Sequence, residues 1–534
     1  MNTRPGAHRA RPVDLFPPAI AVVLAIVAHL VTGERSLSPD GASYLAITEH
    51  WVNGDWSGAF NGYWSPLLSV LLIPLVASGV PPTTAGIAFS VVLAGAAVAA
   101  VQYTMRSLAV DPVITTILAL GAVPVAVFAA LDNLTPDLLM GVLLLVFVAG
   151  VVSGAPSPWV TGLAGGAAFL AKAYALPVTV VFVVVASVWR VVERRTQPTS
   201  GRDPLGSLAR VAAVTGTVSV AWIIVVSVDA GYPTVSTASE YNREISAPGS
   251  PGNPYGWAGL IEPDTRSAFW GWEDPTEMVS NVIGPSTSSG ATASGGPVVD
   301  DPPPGTSGRL DRVVDNGVVA VKTGALAAGS MVAAALATVC AVITWRRRSS
   351  RHHRDILLSA AAATIYVGGL LVLVVSARYL FFVLLLAPVI TGSGLDAIAR
   401  RGKALRSAAL ALATIVAVGT AVRPAVAIVR FDDTAQRFAS VDQLFSEVDV
   451  SGTRLASYPA RLSAIGSRCL ESDCVYLGAP RPNSNTTVAE QLVAAEVDVF
   501  VLQIGVTLVE PPDAPLVASS PEAGYAIYDV SGLD

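Results

Sequence analysis

The sequence predicts an α-helical polytopic membrane protein with a small α/β domain at its C-terminal end. The 534 residues are 52% hydrophobic and only 13% charged, whereas soluble domains usually carry about 25% charged residues. The apolar residues fall into many separate runs, each near the ~20 residues that span a bilayer. From residue 431 onwards the chain is less apolar. The net charge of −6 gives no indication of a nucleic-acid partner.

The apolar runs predict about eleven full spans and one shorter segment. The first run, 16–32, follows Arg4, His8, Arg9 and Arg11 and is not followed by a small-residue cleavage site, so we expect a retained helix with its N-terminus in the cytoplasm. The remaining runs are 66–78, 84–105, 113–131, 134–152, 160–171, 175–189, 208–228, 319–345, 356–375, 380–395 and 404–422.

Basic clusters orient these runs by the positive-inside rule. We place three clusters in the cytoplasm: Arg190 with Arg194 and Arg195, residues 346–348 with Arg351 and Arg354, and Arg400 with Arg401 and Lys403. The segment 229–316 and the tail after Arg430 are then outside. Arg106 falls inside, which leaves one net crossing between Asp40 and Arg106. We therefore expect the short run 66–78 to dip into the membrane and return, or to lie at the interface.

This orientation predicts two domains. Residues 1–430 form the membrane domain, with a first external loop at 34–64 and a large external loop at 229–316, of which 284–308 is a linker rich in Ser, Gly, Pro and Thr. Residues 431–534 form an extracytoplasmic α/β domain, with strands predicted at 454–457, 474–477, 497–503 and 525–530 and helices at 460–467 and 488–495. Cys469 and Cys474 form a disulfide or remain two thiols; both readings stay open.

The stretch Ser38-Pro39-Asp40-Gly41-Ala42-Ser43-Tyr44 directly follows the first run. Pro39 fixes its own φ and Gly41 permits unusual backbone angles, so we expect a turn that holds the Asp40 carboxylate at the membrane surface. The alternative is that Asp40 caps a helix beginning near Tyr44.

Further charges interrupt the apolar runs on the same predicted side of the membrane. Ionisable groups at membrane depth are costly and usually mark function. They are Asp132, Asp137, Lys172 and Arg378. The acidic pair has the alternative role of capping a helix, and the basic pair that of extending to the interface. Trp51, Trp56, Tyr63 and Trp64 either line a site or form an interfacial aromatic belt.

Such a set suits group transfer at a membrane surface. A carboxylate can accept the proton of an attacking hydroxyl. Lysine and arginine can bind the phosphate of a lipid-linked donor and stabilise the leaving group. A second carboxylate is a candidate ligand for a divalent cation, with Asp40 and Asp137 as the candidate metal ligands.

Several short motifs, in this order along the chain, resemble the polytopic glycosyltransferases of the GT-C class. That class includes the protein O-mannosyltransferases, the lipid A aminoarabinose transferases and many uncharacterised prokaryotic relatives. The motifs are Pro39-Asp40-Gly41-Ala42-Ser43-Tyr44-Leu45, Gly62-Tyr63-Trp64-Ser65-Pro66-Leu67, Thr135-Pro136-Asp137-Leu138-Leu139, Lys172-Ala173-Tyr174-Ala175, Trp272-Glu273-Asp274-Pro275 and Arg378-Tyr379.

The resemblance implies a hexosyl- or pentosyltransferase of the prokaryotic inner membrane, multi-pass, with its active site outside the cytoplasm. It implies a polyprenyl-phosphate sugar as donor, a glycan, lipid or protein as acceptor, and an inverting mechanism. Asp40 matches the proposed catalytic base, and Asp137, or else Asp132, matches the second acidic residue. The first loop of the class often carries two adjacent acidic residues, whereas Gly41 follows Asp40 here, which leaves metal use open.

We expect further substrate contacts from side chains spread along the chain: Asp132, Lys172, Glu273, Asp274, Arg378, Tyr44 and Trp64. Two rival classes fit the helices and the buried charges. One is a transporter or flippase of a lipid-linked intermediate, which often shows internal repeats that we do not find here. The other is a catalytically inactive relative that acts as a binding subunit.

Overall fold

A computed structural model describes most of the membrane helices and much of the C-terminal domain. The described residues are 12–32, 39–60, 62–132, 134–196, 204–237, 351–372, 377–429, 441, 443–458, 465, 469, 472, 474–478, 487–504, 513–521 and 524–533. Most of the large loop at 229–316, its linker at 284–308 and the apolar run 319–345 therefore lie outside the described residues.

The described chain is mainly α-helical. Its helices are α1 Pro12–Thr32, α2 Pro39–Asn53, α3 Trp56–Ala59, α4 Leu67–Ala77, α5 Pro82–Ser107, α6 Pro112–Asp132, α7 Pro136–Ser153, α8 Pro158–Ala171, α9 Ala175–Thr196, α10 Pro204–Ala230, α11 Arg351–Val372, α12 Phe381–Ala399, α13 Lys403–Val429 and α14 Val488–Ala494. A short 3-10 helix, Ala377–Leu380, leads into α12.

Eight of the described helices are long and apolar enough to cross a membrane. They are α5, α6, α7, α9, α10, α11, α12 and α13. The apolar parts of α1, α4 and α8 are shorter. This arrangement confirms a helical polytopic membrane protein, while the count of about eleven spans stays a prediction.

Apolar stripes on the outer helices mark the surface that faces lipid. Val180, Val184 and Val188 follow one another at four-residue intervals on α9, and each is more than half exposed. An equivalent stripe on α13 includes Val418 and Val422. Exposed apolar stripes of this length are unfavourable in water and favourable against acyl chains.

The bundle has two chemically different ends. Asp396 on α12 accepts hydrogen bonds from the Arg400 guanidinium (2.7 Å) and from the main-chain N–H of Asp111 (3.1 Å). Arg400 also donates to the carbonyl of Ala109, three residues after Arg106. We call this the Arg400 end. Arg190 belongs to it as well, because its guanidinium donates to the carbonyl of Val152 near the C-terminus of α7. Arg106 thus lies at the same end as Arg190 and Arg400, and its cytoplasmic placement stays a prediction.

The opposite end, which we call the Asp40 end, contains α2 inside the bundle. The predicted turn around Asp40 is wrong, because Pro39 is the first residue of α2 and Asp40 lies in its first turn. Proline is favourable at the first helical position, and an acidic residue in the first turn complements the helix dipole. Residues 41–48 are all buried. Within the predicted first external loop at 34–64, residues 39–53 therefore form a helix that is packed in the bundle.

Helix α4 supports α2 from one side. The Ser69 hydroxyl of α4 donates to the carbonyl of Tyr44 at 2.8 Å. With 11 residues, α4 rises only about 16 Å, roughly half of a hydrocarbon core. Helix α5 begins after a short turn and packs on Leu45 of α2 through Gly86, where a Cβ would approach Leu45 at 3.4 Å. Both ends of α4 therefore lie near α2 at the Asp40 end, and a segment that does not cross the membrane stays a prediction.

The C-terminal domain is built on a five-stranded mixed sheet in the order β2-β1-β3-β5-β4. Its strands are β1 Arg454–Tyr458, β2 Val475–Gly478, β3 Val499–Gln503, β4 Leu516–Ser520 and β5 Tyr525–Asp529. β1 pairs in parallel with β2 and β3, whereas β5 pairs antiparallel with β3 and β4. Four strands and α14 confirm the predicted elements; β4 was not predicted, and the helix predicted at 460–467 lies mostly outside the described residues.

A disulfide joins Cys469 to Cys474. Of the two alternatives for this cysteine pair, disulfide or free thiols, the structure contains the disulfide. Disulfides persist in oxidising compartments, so the bond is consistent with the predicted placement of this domain outside the cytoplasm.

Candidate functional site

Four charged side chains from distant parts of the chain meet at the Asp40 end. The Arg378 guanidinium lies between the two carboxylates, with Nη2 2.5 Å from Asp40 Oδ2 and Nε 3.9 Å from Asp137 Oδ2. The ammonium group of Lys172 forms an ion pair and hydrogen bond with Asp137 Oδ1. The result is a continuous charge cluster in the order Asp40, Arg378, Asp137, Lys172.

Each member of this charge cluster lies at the end of a helix. Asp40 and Asp137 occupy the first turns of α2 and α7. Lys172 is the residue that terminates α8, in extended conformation, before α9 begins at Ala175. Arg378 lies in the 3-10 helix before α12. Side chains at helix ends lie at the edge of the bundle. In the sequence, these four charges occur where apolar runs begin or end.

The two carboxylates differ in exposure. The Asp137 side chain is 1% exposed, whereas those of Asp40, Lys172 and Arg378 are 24%, 26% and 20% exposed. A buried carboxylate without a cationic partner is strongly destabilising. Asp137 also lies in the first turn of α7, after the N-cap residue Thr135, where a negative charge complements the helix dipole. Asp137 is therefore the buried counter-ion of both cations, and Asp40 is the more exposed carboxylate.

Tyr379 contacts both cations of the cluster. Lys172 Nζ lies 4.1 Å from the centroid of its ring, and Arg378 Cζ lies 5.2 Å from that centroid. Cations above aromatic faces gain electrostatic stabilisation. We did not predict Tyr379 as a site residue, although it follows Arg378 in the only polar interruption between the runs that became α11 and α12.

Tyr44 lies near the Asp40 carboxylate and is buried against Trp64, with the two rings edge to face at 5.0 Å. Tyr63 packs on Trp64 with a centroid separation of 4.6 Å. Burial raises the pKa of Tyr44 and Tyr63, and the neighbouring Asp40 carboxylate raises both further. Both phenols thus stay neutral at physiological pH and are hydrogen-bonding groups there. The substrate-binding roles predicted for Tyr44 and Trp64 stay predictions.

The other predicted aromatic residues form a separate cluster. Trp51 and Trp56 pack edge to face at 5.4 Å, and Phe60 lies against both rings. Phe60 also stacks on Trp222 of α10 at 6.2 Å. Since Trp56 is 59% exposed, this cluster fits the alternative of an interfacial aromatic belt.

Three predicted site residues cannot be placed. The side chain of Asp132 and all of Glu273 and Asp274 lie outside the described residues. Their substrate-binding roles stay predictions.

No group of three or more His, Cys, Asp or Glu side chains that could hold a metal ion occurs among the described residues. The two candidate ligands, Asp40 and Asp137, each face a cationic side chain. Among the residues that the structure describes, this set does not fit a ready metal site, and we derive no step through a metal.

Fold and site together define a class: a polytopic helical membrane protein with a compact charge cluster at one end of its helices. The chain is similar to two crystal structures of ArnT from Cupriavidus metallidurans. The apo structure is 16% identical with a TM-score of 0.47, and the structure bound to undecaprenyl phosphate is 16% identical with a TM-score of 0.45. Each match covers 96% of this chain and 98% of ArnT.

No protein-family model and no curated protein matches the sequence.

Proposed function

We propose that this protein is a membrane glycosyltransferase that moves a sugar from a polyprenyl-phosphate donor to an acceptor outside the cytoplasm. The observation that carries the proposal is the charge cluster: two cations and two carboxylates held together at one end of the helix bundle. The cations suit a lipid phosphate, and the more exposed carboxylate suits a general base. A polyprenyl phosphate was the ligand in one of the two ArnT structures.

Arg378 is the group that would exchange partners when the donor binds. It is shared between Asp40 and Asp137, and its side chain is 20% exposed. Lys172 is engaged by the buried Asp137. A donor phosphate would accept hydrogen bonds from Arg378 in place of Asp40, because Asp137 cannot lose both cations without leaving a buried charge unpaired. Donor binding would thus release the Asp40 carboxylate.

The released Asp40 would then serve as the base in an inverting transfer. The acceptor hydroxyl oxygen attacks the anomeric carbon from the face opposite the phosphate, and its proton passes to an Asp40 carboxylate oxygen. The bond between the anomeric carbon and the phosphate oxygen breaks as the new glycosidic bond forms. Polyprenyl phosphate leaves with the bonding electrons, and Arg378 and Lys172 stabilise the negative charge that it gains.

The acceptor would be a glycan, lipid or protein on the outer side of the prokaryotic inner membrane. The disulfide between Cys469 and Cys474 supports a C-terminal domain in an oxidising compartment.

Sugar transfer by purified protein tests the proposal. Protein in liposomes receives polyprenyl-phosphate donors carrying a labelled sugar, together with a membrane extract as the source of acceptor, and label is followed into product. The wild type should transfer label, Asp40→Ala should not, and the exposed control Asp513→Asn should match the wild type. Full transfer by Asp40→Ala would exclude Asp40 as base. Movement of intact donor across the bilayer without transfer would favour the flippase.

A further inference from the structure

We propose that Tyr366 is a positioning residue that fixes the spacing of the two cations of the site. It would do so through a chain of three tyrosines, Tyr174, Tyr366 and Tyr379. This inference rests on the proposed function, since the spacing matters only if Lys172 and Arg378 bind one phosphate. The Tyr366 hydroxyl bonds the main chain of Tyr379, so Tyr366 would act on the cations through its neighbours.

Tyr366 is bonded at both of its polar ends. It is 1% exposed, and its hydroxyl donates a hydrogen bond to the main-chain carbonyl of Tyr379 at 2.7 Å. That carbonyl belongs to the 3-10 helix that carries Arg378. The main-chain carbonyl of Tyr366 accepts a hydrogen bond from the hydroxyl of Tyr174. A buried hydroxyl satisfied in this way holds its partner in one geometry.

Tyr174 connects the chain to the second cation. It lies two residues after Lys172, in the interruption between α8 and α9, and its ring packs edge to face on Tyr366 at 5.3 Å. Gly369, one turn after Tyr366 on α11, makes this approach feasible. A Cβ at Gly369 would lie 3.1 Å from Tyr174 Cζ and even closer to the hydroxyl oxygen. The site end of α11 is thus shaped to receive the Tyr174 ring.

Tyr379 completes the connection, because both Lys172 Nζ and the Arg378 guanidinium contact its ring. The segment that carries Arg378 is therefore fixed through its backbone by Tyr366, and the segment that carries Lys172 through the Tyr174 side chain. A single residue of α11 joins both. Loss of the Tyr366 hydroxyl should let the 3-10 helix shift and change the distance between the two cations.

Binding of undecaprenyl phosphate to the full-length protein in nanodiscs tests this proposal, with displacement of a fluorescent polyprenyl phosphate as the readout. Tyr366→Phe keeps the ring and removes the hydroxyl. Loss of one buried hydrogen bond that orients a phosphate ligand should weaken binding roughly three- to tenfold. Tyr103→Phe, on a partly exposed tyrosine of α5, is the matched control and should bind as the wild type does.

A second pair of variants separates positioning from general damage to α11. Gly369→Ala displaces the Tyr174 hydroxyl, whereas a Cβ at the adjacent Gly368 meets no atom within 4 Å. Both changes raise helix propensity equally, so Gly369→Ala should weaken phosphate binding about threefold relative to Gly368→Ala. Thermal unfolding of every variant is measured in parallel, because a purely structural role would lower the midpoint and leave binding unchanged.

The outcomes are distinguishable. If the wild type binds no polyprenyl phosphate, the proposed function fails, and this inference fails with it. If the wild type binds and both Tyr366→Phe and Gly369→Ala bind equally well, the positioning role is wrong while the proposed function stands. Weaker binding by Tyr366→Phe at an unchanged unfolding midpoint supports the role.

Discussion

At the scale of single residues, Asp137 shows how one buried group constrains the others. Its carboxylate faces Lys172 at one oxygen and Arg378 at the other, and its side chain is 1% exposed. Breaking a buried ion pair costs more than replacing both partners, because the remaining charge is left without compensation. This asymmetry gives Asp137 a structural role that can be separated from chemistry.

We expect Asp137→Asn to lower the free energy of unfolding by about 3 kcal/mol, since Lys172 loses its counter-ion. The double variant Asp137→Asn with Lys172→Met should recover the thermal unfolding midpoint in detergent but not sugar transfer. Midpoint and transfer are measured on the same preparations. An Asp137→Asn protein as stable as the wild type would contradict the counter-ion role.

Arg378 makes a second prediction at this scale. Its guanidinium reaches Asp40 with Nη2 and faces Asp137 with Nε, and a lysine ammonium cannot reproduce this fork. Arg378→Lys should therefore reduce transfer roughly tenfold or more, which corresponds to loss of one charge-assisted hydrogen bond. Initial rates at saturating donor measure the effect. Arg406→Lys, at the Arg400 end, is the control and should retain full activity.

At the scale of elements, the sequence predicted most helices and strands, but not the start of α2 or the edge strand β4. The apolar runs indicated α5, α6, α7 and the helices that follow, because hydropathy is strong over such lengths. The turn expected at Asp40 is the start of α2, since proline and glycine there also suit a helix N-terminus. Strand β4 was not predicted from the sequence. It is an exposed edge strand, and three prolines shortly before it are unfavourable for a strand.

Helix packing gives a prediction that no hydropathy profile contains. Gly121 of α6 lies against α13, and a Cβ there would come within 2.6 Å of the Ala417 Cα. Gly121→Ala should therefore destabilise the bundle by about 1–3 kcal/mol. Gly216→Ala on α10, where a Cβ meets no atom within 4 Å, should have no destabilising effect. Thermal unfolding of the two variants side by side is the measurement, and equal midpoints would contradict the close approach of α6 and α13.

At the scale of the whole molecule, the sequence predicted which charges share one end of the bundle, but not that they touch. Topology alone placed Asp40, Asp137, Lys172 and Arg378 on one side. Their convergence depends on how α2, α7, α8 and α12 pack, and packing is decided by side-chain fit and close contacts that periodicity does not encode. For the same reason the sequence did not indicate Tyr366, which resembles any other buried aromatic residue of an apolar run.

Orientation in the membrane is a prediction of the same scale. In a Cys340→Ala background, Asp513→Cys in the C-terminal domain should react with a membrane-impermeant maleimide in intact cells. Arg194→Cys, beyond the last apolar turn of α9, should react only after permeabilisation. Both positions are exposed, so accessibility of the side chain does not limit either reaction. Labelling of Arg194→Cys but not of Asp513→Cys in intact cells would contradict the predicted orientation and indicate the opposite one.

The central claim is that Asp40 acts in the chemical step and that Arg378 leaves it to bind the donor phosphate. Asp40→Asn tests this most directly when donor binding and sugar transfer are measured on the same proteoliposomes. With its carboxylate partner neutralised, Arg378 is freer to bind phosphate, so donor affinity should equal or exceed that of the wild type, while transfer should fall about a hundredfold or more. Transfer at the wild-type rate, or loss of donor binding together with transfer, would contradict the account.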